Sequence, residues 1–114
     1  MDEKLFAIEA ELKEAITDFL VPLQTTRVIK QDAFERLHSS AKEACRQLKG
    51  NQLVPKSLLN EIYVTALVIR TEQSYFEDKA SLLEEMSHQL EMCFILILKD
   101  ESPEDRQPGV PRII

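Results

Sequence analysis

Apolar residues recur along the chain at spacings of three and four, in four separate runs. Leu5, Ile8, Leu12, Ile16 and Phe19 form the first, and Phe34, Leu37, Ala41, Cys45 and Leu48 the second. Leu59, Ile62, Ala66 and Ile69 form the third, and Leu83, Met86, Leu90, Phe94 and Ile97 the fourth. A helix with 3.6 residues per turn places such residues on one face. The pattern therefore predicts an all-α chain, a single-domain antiparallel four-helix bundle over residues 1–100.

Punctuation residues set the expected boundaries. The first helix should span about Asp2 to Val21, because Pro22 pushes the residue before it out of the α region. Asp32 and Glu35, three apart, have the form of a capping box and start a second helix over about 32–49, which Gly50 ends. Pro55 suits the first position of a third helix, over about 55–76. Ser81 with Glu84 offers another capping box for a fourth, over about 79–99. Residues 101–114 hold three of the five prolines and Gly109, so they are expected to be an extended tail, packing on the bundle or binding a partner. Short connections make consecutive helices antiparallel neighbours.

Two helices carry more apolar residues than one face needs. Tyr63, Val64, Leu67 and Val68 cover other sides of the third, and Met92 to Leu98 leave the end of the fourth with no polar side. A helix apolar all round needs cover all round. The cover is expected to be the tail's Val110, Ile113 and Ile114, a second copy of the chain, or a different protein.

With 114 residues the chain is large enough to bury one core unaided. It opens Met1, Asp2, Glu3, Lys4, without the basic and apolar regions of a secretory leader, and no apolar run approaches the roughly 20 residues of a membrane span. Cys45 and Cys93 lie on or beside apolar stripes and are read as buried, reduced thiols, away from any base. The expected location is cytoplasmic.

Charge changes the picture of partners. Twenty acidic against 14 basic side chains give a net charge of −6, which disfavours nucleic acid and anionic membranes and favours a basic protein. The excess sits in residues 1–21 and 77–100, whereas residues 22–50 are net basic. The first and fourth helices are thus the acidic ones.

Chemistry finds little purchase. Glu35 with His38 and Glu85 with His88, joined by Glu14 and Glu72, supply the residue types of a carboxylate-bridged metal bundle. At about 100° per residue, however, Glu14, Glu35, Glu85 and His88 all point away from their own stripes. His38 followed by Lys42 offers a phosphoryl acceptor of the kind exposed by four-helix phosphotransfer domains, but Ser39, Ser40 and Ala41 replace the Leu-Lys-Gly run that follows the histidine there. No nucleophile elbow or phosphate-cradling glycine loop is present. No catalytic residue, cofactor or metal site is expected, and the chain is read as a non-enzyme.

The expected function is a small acidic protein-protein interaction module, in concrete form an immunity- or antitoxin-like inhibitor of a basic protein. Its contact residues would be Glu9, Glu11, Glu14 and Asp18 on the first helix, Glu84, Glu85 and Glu91 on the fourth, and Val110, Arg112, Ile113 and Ile114 in the tail. The alternatives are a structural or regulatory helical homodimer and, third, a metal-binding or phosphotransfer bundle.

Overall fold

The computed structural model describes residues 3–106. Four helices account for most of them: α1 (Glu3–Thr25), α2 (Gln31–Leu48), α3 (Lys56–Glu72) and α4 (Ala80–Leu98). Short 3-10 turns follow at Gln73–Tyr75 and Pro103–Asp105. No strand occurs among the described residues. The fold is the expected all-α four-helix bundle. Among the described residues, no helix is long and apolar enough to cross a membrane.

The stripes build the core. Leu12, Phe19 and Leu23 of α1, Leu37, Ala41 and Cys45 of α2, Leu58, Ile62 and Ile69 of α3, and Leu83, Leu90 and Cys93 of α4 are all buried in it. Ile8, Leu59 and Phe94, which the pattern places on the stripes, are only partly buried and pack against the core from its edge. Phe19 and Phe34 meet across α1 and α2 with ring centroids 5.4 Å apart.

The helices form two antiparallel hairpins, α1 with α2 and α3 with α4, laid side by side so that α1 packs on α3 and α2 on α4. Consecutive helices are therefore not all neighbours: α2 and α3 lie on one diagonal of the bundle, α1 and α4 on the other. Arg27, after α1, pairs with Glu72 at the end of α3, and Cys45 and Cys93 meet late in α2 and α4. Both cross-hairpin pairs thus run parallel.

Pro22 does not stop α1, which continues to Thr25. Proline cannot donate to the carbonyl four residues back, that of Asp18, but Leu23 is the next residue of the stripe and is fully buried, so packing carries the helix past it. The stop comes later. The Pro22 carbonyl accepts the N–H groups of Thr26 and Val28 at 3.0 and 3.1 Å, and Arg27 turns the chain at φ 58°.

Neither expected capping box forms. The helices start at Gln31 and Ala80, so Asp32 and Ser81 fall inside the first turn, two residues past the cap positions that Lys30 and Lys79 occupy without side-chain bonds. Pro55 likewise precedes α3 as its cap instead of opening it. Gly50 does end α2, at φ 91°. At the end of α4, Glu101 N–H donates to the Leu96 carbonyl and Asp100 N–H to that of Ile97, a Schellman ending with Asp100 in the left-handed position at φ 59°. The Asp100 carboxylate then accepts the Gly50 N–H at 2.6 Å, tying the two helix ends together.

Residues 101–106 fold back on α2 and do not run extended. A capping box between Ser102 and Asp105 shapes the Pro103–Asp105 turn. Its Glu104 and Asp105 bind Arg46 at 2.8 Å and Lys49 at 2.7 Å.

Candidate interaction surface

The diagonal placement of α1 and α4 divides the acids expected to act together. On α1, Glu11 and Asp18 fall on the flank facing α2, whereas Glu9, two residues and hence about 160° around the helix from Glu11, is buried on the opposite flank. Its carboxylate is 3.5 Å from Lys13. Asp18 binds Arg36 at 2.6 Å, and Glu14 stands exposed beside them. Contact with Asp18, reinforced by Glu11 and Glu14, holds the Arg36 guanidinium above its ordinary pKa.

On α4, Glu84 accepts a hydrogen bond from the Gln73 amide at 3.0 Å, and Glu91 is paired with Arg70 of α3. Both are engaged on the α3 side. Glu85 alone faces α2. Val110, Arg112, Ile113 and Ile114 lie outside the described residues.

What the fold assembles instead is an acidic face centred on α2. A groove of about 600 Å³ between α1 and α2 carries Glu11, Asp32, Glu35 and Glu43, with Lys4 and Arg36 as its bases. A second, of about 250 Å³ between α2 and α4, carries Glu35 again, with Glu85 and His38. Glu35 is the wall the two share. Contact with Gln47 and then Arg46 draws the Glu43 carboxyl below its ordinary pKa, so it is charged at neutral pH. Glu11, Asp32, Glu35 and Glu85 are exposed on regular helix. Asp32, Glu35 and Glu43 were not among the expected contact residues because their segment is net basic. The signal was present in the angular positions of these acids around α2, not in their sum.

The surplus apolar surface is smaller than the pattern implies. With α2 on one side and α3 on the other, α4 buries a wide arc, and Met92, Phe94 and Ile95 are all partly covered. Phe94 stacks near Tyr63 with centroids 5.1 Å apart. Exposed on α3 are Tyr63, Val64 and Leu67, each about two-fifths accessible at 43%, 43% and 40%.

Among the described residues no group of three or more His, Cys, Asp and Glu side chains is gathered so as to hold a metal ion. His38 is half-buried, its ring 5.7 Å from that of Phe34, and His88 is exposed. Both cysteines are buried, and the neighbouring Cys45 thiol, then His38, draw the Cys93 thiol below its ordinary pKa against the effect of burial.

Compared with known proteins, the chain matches no family model, no curated protein and no solved structure.

Proposed function

We propose that this chain is a protein-protein interaction module that holds a basic partner against the face formed by α1, α2 and α4. The observation that supports it is the pair of grooves sharing Glu35, in which Glu11, Asp32, Glu35, Glu43 and Glu85 outnumber Lys4 and Arg36. Arg36 is already paired with Asp18 and Glu43 with Arg46, so the acids left to meet a partner are Glu11, Asp32, Glu35 and Glu85. Helices fix the backbone positions of these acids, so a partner meets the field of a regularly spaced array of carboxylates. Such a field steers association and weakens with salt. An inhibitor of the immunity or antitoxin kind, covering a basic active site, is the concrete form of this reading.

The test is affinity capture from the source cell with the wild-type chain and a Glu11→Lys, Glu35→Lys, Glu85→Lys variant, at increasing salt. The reading expects a basic protein retained by the wild type, released as salt rises and absent from the folded variant. Equal retention by both chains, or a partner with no basic surface, sinks it.

A homodimer is the second reading, favoured by the exposed Tyr63, Val64 and Leu67 on α3. Light scattering decides it: a dimer that Leu67→Glu dissociates supports it, and a monomer at high concentration ends it.

A further inference from the structure

Across the α2–α4 contact, Cys45 and Cys93 meet in the core, only 1% and 2% exposed. The Cys45 thiol donates to the Cys93 carbonyl at 3.4 Å, so it already reaches the backbone of the opposite helix. Ala41 and Ala44, both fully buried next to Cys45, carry too little side chain to hold the helices apart there. On α2, His38, Lys42 and Cys45 recur at spacings of four and three and so share the flank that meets α4. On α4, Gln89 and Cys93 are one turn apart on the facing flank. Gln89 and His38 line the 250 Å³ groove, so the groove ends one turn before Cys93 and two before Cys45.

We infer that Cys93 and Cys45 form a redox-active pair, in which Cys93 attacks a hydroperoxide and Cys45 resolves the product to an intrachain disulfide joining α2 to α4. The Cys93 thiolate sulfur bonds to one peroxide oxygen as the O–O bond breaks, leaving a sulfenic acid, and the departing alkoxide takes up a proton in place of the one Cys93 gave up on ionising. The Cys45 sulfur then bonds to that of Cys93 and the S–O bond breaks. Hydroxide leaves with the Cys45 proton as water. Two thiols are oxidised by two electrons, and the hydroperoxide is reduced to an alcohol and water.

The surroundings divide the roles. The neighbouring Cys45 thiol, followed by His38 and Lys42, draws the Cys93 thiol down to about 6 against the opposing effect of burial. The same contact, with burial, pushes Cys45 up. The thiolate is the nucleophile, so Cys93 is the one that attacks the peroxide and Cys45 the one that keeps its proton until it resolves the sulfenic acid. A disulfide here would close a loop of about 48 residues and restrict the unfolded chain accordingly.

Reduced full-length protein exposed to hydrogen peroxide, with and without urea, tests the inference. Intact mass and a non-reducing peptide map should show loss of two hydrogens and a Cys45–Cys93 link, formed about tenfold faster in the native protein than in the unfolded one, because folding brings the thiols together. Slower or equal reaction in the native protein would mean that the thiols are merely buried, and overturns the proposal without relying on any variant. In Cys45→Ser, dimedone should trap a sulfenic acid on Cys93. A sulfenic acid trapped on Cys45 in Cys93→Ser, with none trapped on Cys93 in Cys45→Ser, would overturn the assignment of roles.

Discussion

Replacing Pro22 with alanine should stabilise the protein, against the general tendency of substitutions to do the opposite. Pro22 lies inside α1, where it withholds a hydrogen bond from the Asp18 carbonyl. In a helix interior proline is about 3 kcal/mol worse than alanine. Two effects reduce the gain. The proline ring is half-buried and has two more carbons than alanine, and at about 0.8 kcal/mol per fully buried CH2, halved for partial burial, their loss costs about 0.8 kcal/mol. The helix also ends at Thr25, where fraying already relieves part of the constraint. The balance is about 1–2 kcal/mol in favour of Pro22→Ala, or a rise in Tm of roughly 4–8 °C for a domain of this size. Urea denaturation with an unchanged m-value and a higher midpoint would report it. An unchanged or lower midpoint would show that the ring's packing outweighs the missing bond, and that the account of why α1 passes through Pro22 is wrong.

Arg27 sits at φ 58°, pairs with Glu72 at 2.5 Å and lies 4.1 Å from the centre of the Tyr75 ring. Arg27→Ala loses those contacts and keeps the strain, whereas Arg27→Gly also relieves it, so the glycine variant should be about 1 kcal/mol the more stable of the two; equal midpoints would deny the strain. Gly50 has φ 91° and nothing within 4 Å of where a Cβ would stand, so Gly50→Ala should cost about 1–2 kcal/mol through backbone conformation alone, with no change in packing visible by NMR. The Lys49 ammonium, with the Ser102 N–H, holds Asp105 at about 2, below its ordinary 3.8, and Arg46 lowers Glu104 likewise. A depressed carboxylate favours the folded contact above its ordinary pKa and ceases to do so as pH falls through the folded value. The protection of amides in residues 101–106, measured against the intrinsic exchange rate at each pH, should accordingly fall between about pH 4 and 2; protection that stays flat across that range would show that these ion pairs do not hold the turn.

How much of this was legible in the sequence depends on which interaction decided each feature. Helix number, type and core faces followed from periodicity, because burying Leu12, Leu37, Ile62 and Leu90 together dominates everything local. Pro22 misled because a local steric rule was outweighed by one buried residue, Leu23. The capping boxes misled because the caps fall two residues earlier, at Lys30 and Lys79, which leaves Asp32 and Ser81 inside the first turn. The order of helices around the bundle is not written in any single helix. Short loops are satisfied equally by α2 beside α3 or by two hairpins side by side, and only the packing of all four faces distinguishes them. That one choice separated the acids of α1 from those of α4.

Charge shows why a segment's sum is a poor guide to a surface. Residues 22–50 are net basic, yet the face around α2 is acidic, because the bases are spent elsewhere. Arg27 is engaged by Glu72, Arg46 by Glu43 and Glu104, and Lys49 by Asp105. Arg46 and Lys49 stand at the C-terminal end of α2, where the helix dipole already favours cations, and the Pro103–Asp105 turn brings carboxylates to them. Asp32 and Glu35 occupy the opposite end, where the same dipole favours anions, and no ion pair engages either of them among those the structure resolves. The segment after α4 therefore helps set the polarity of a helix it does not belong to: by occupying the cations at one end of α2, it leaves the acids at the other end to define the field that a partner would meet.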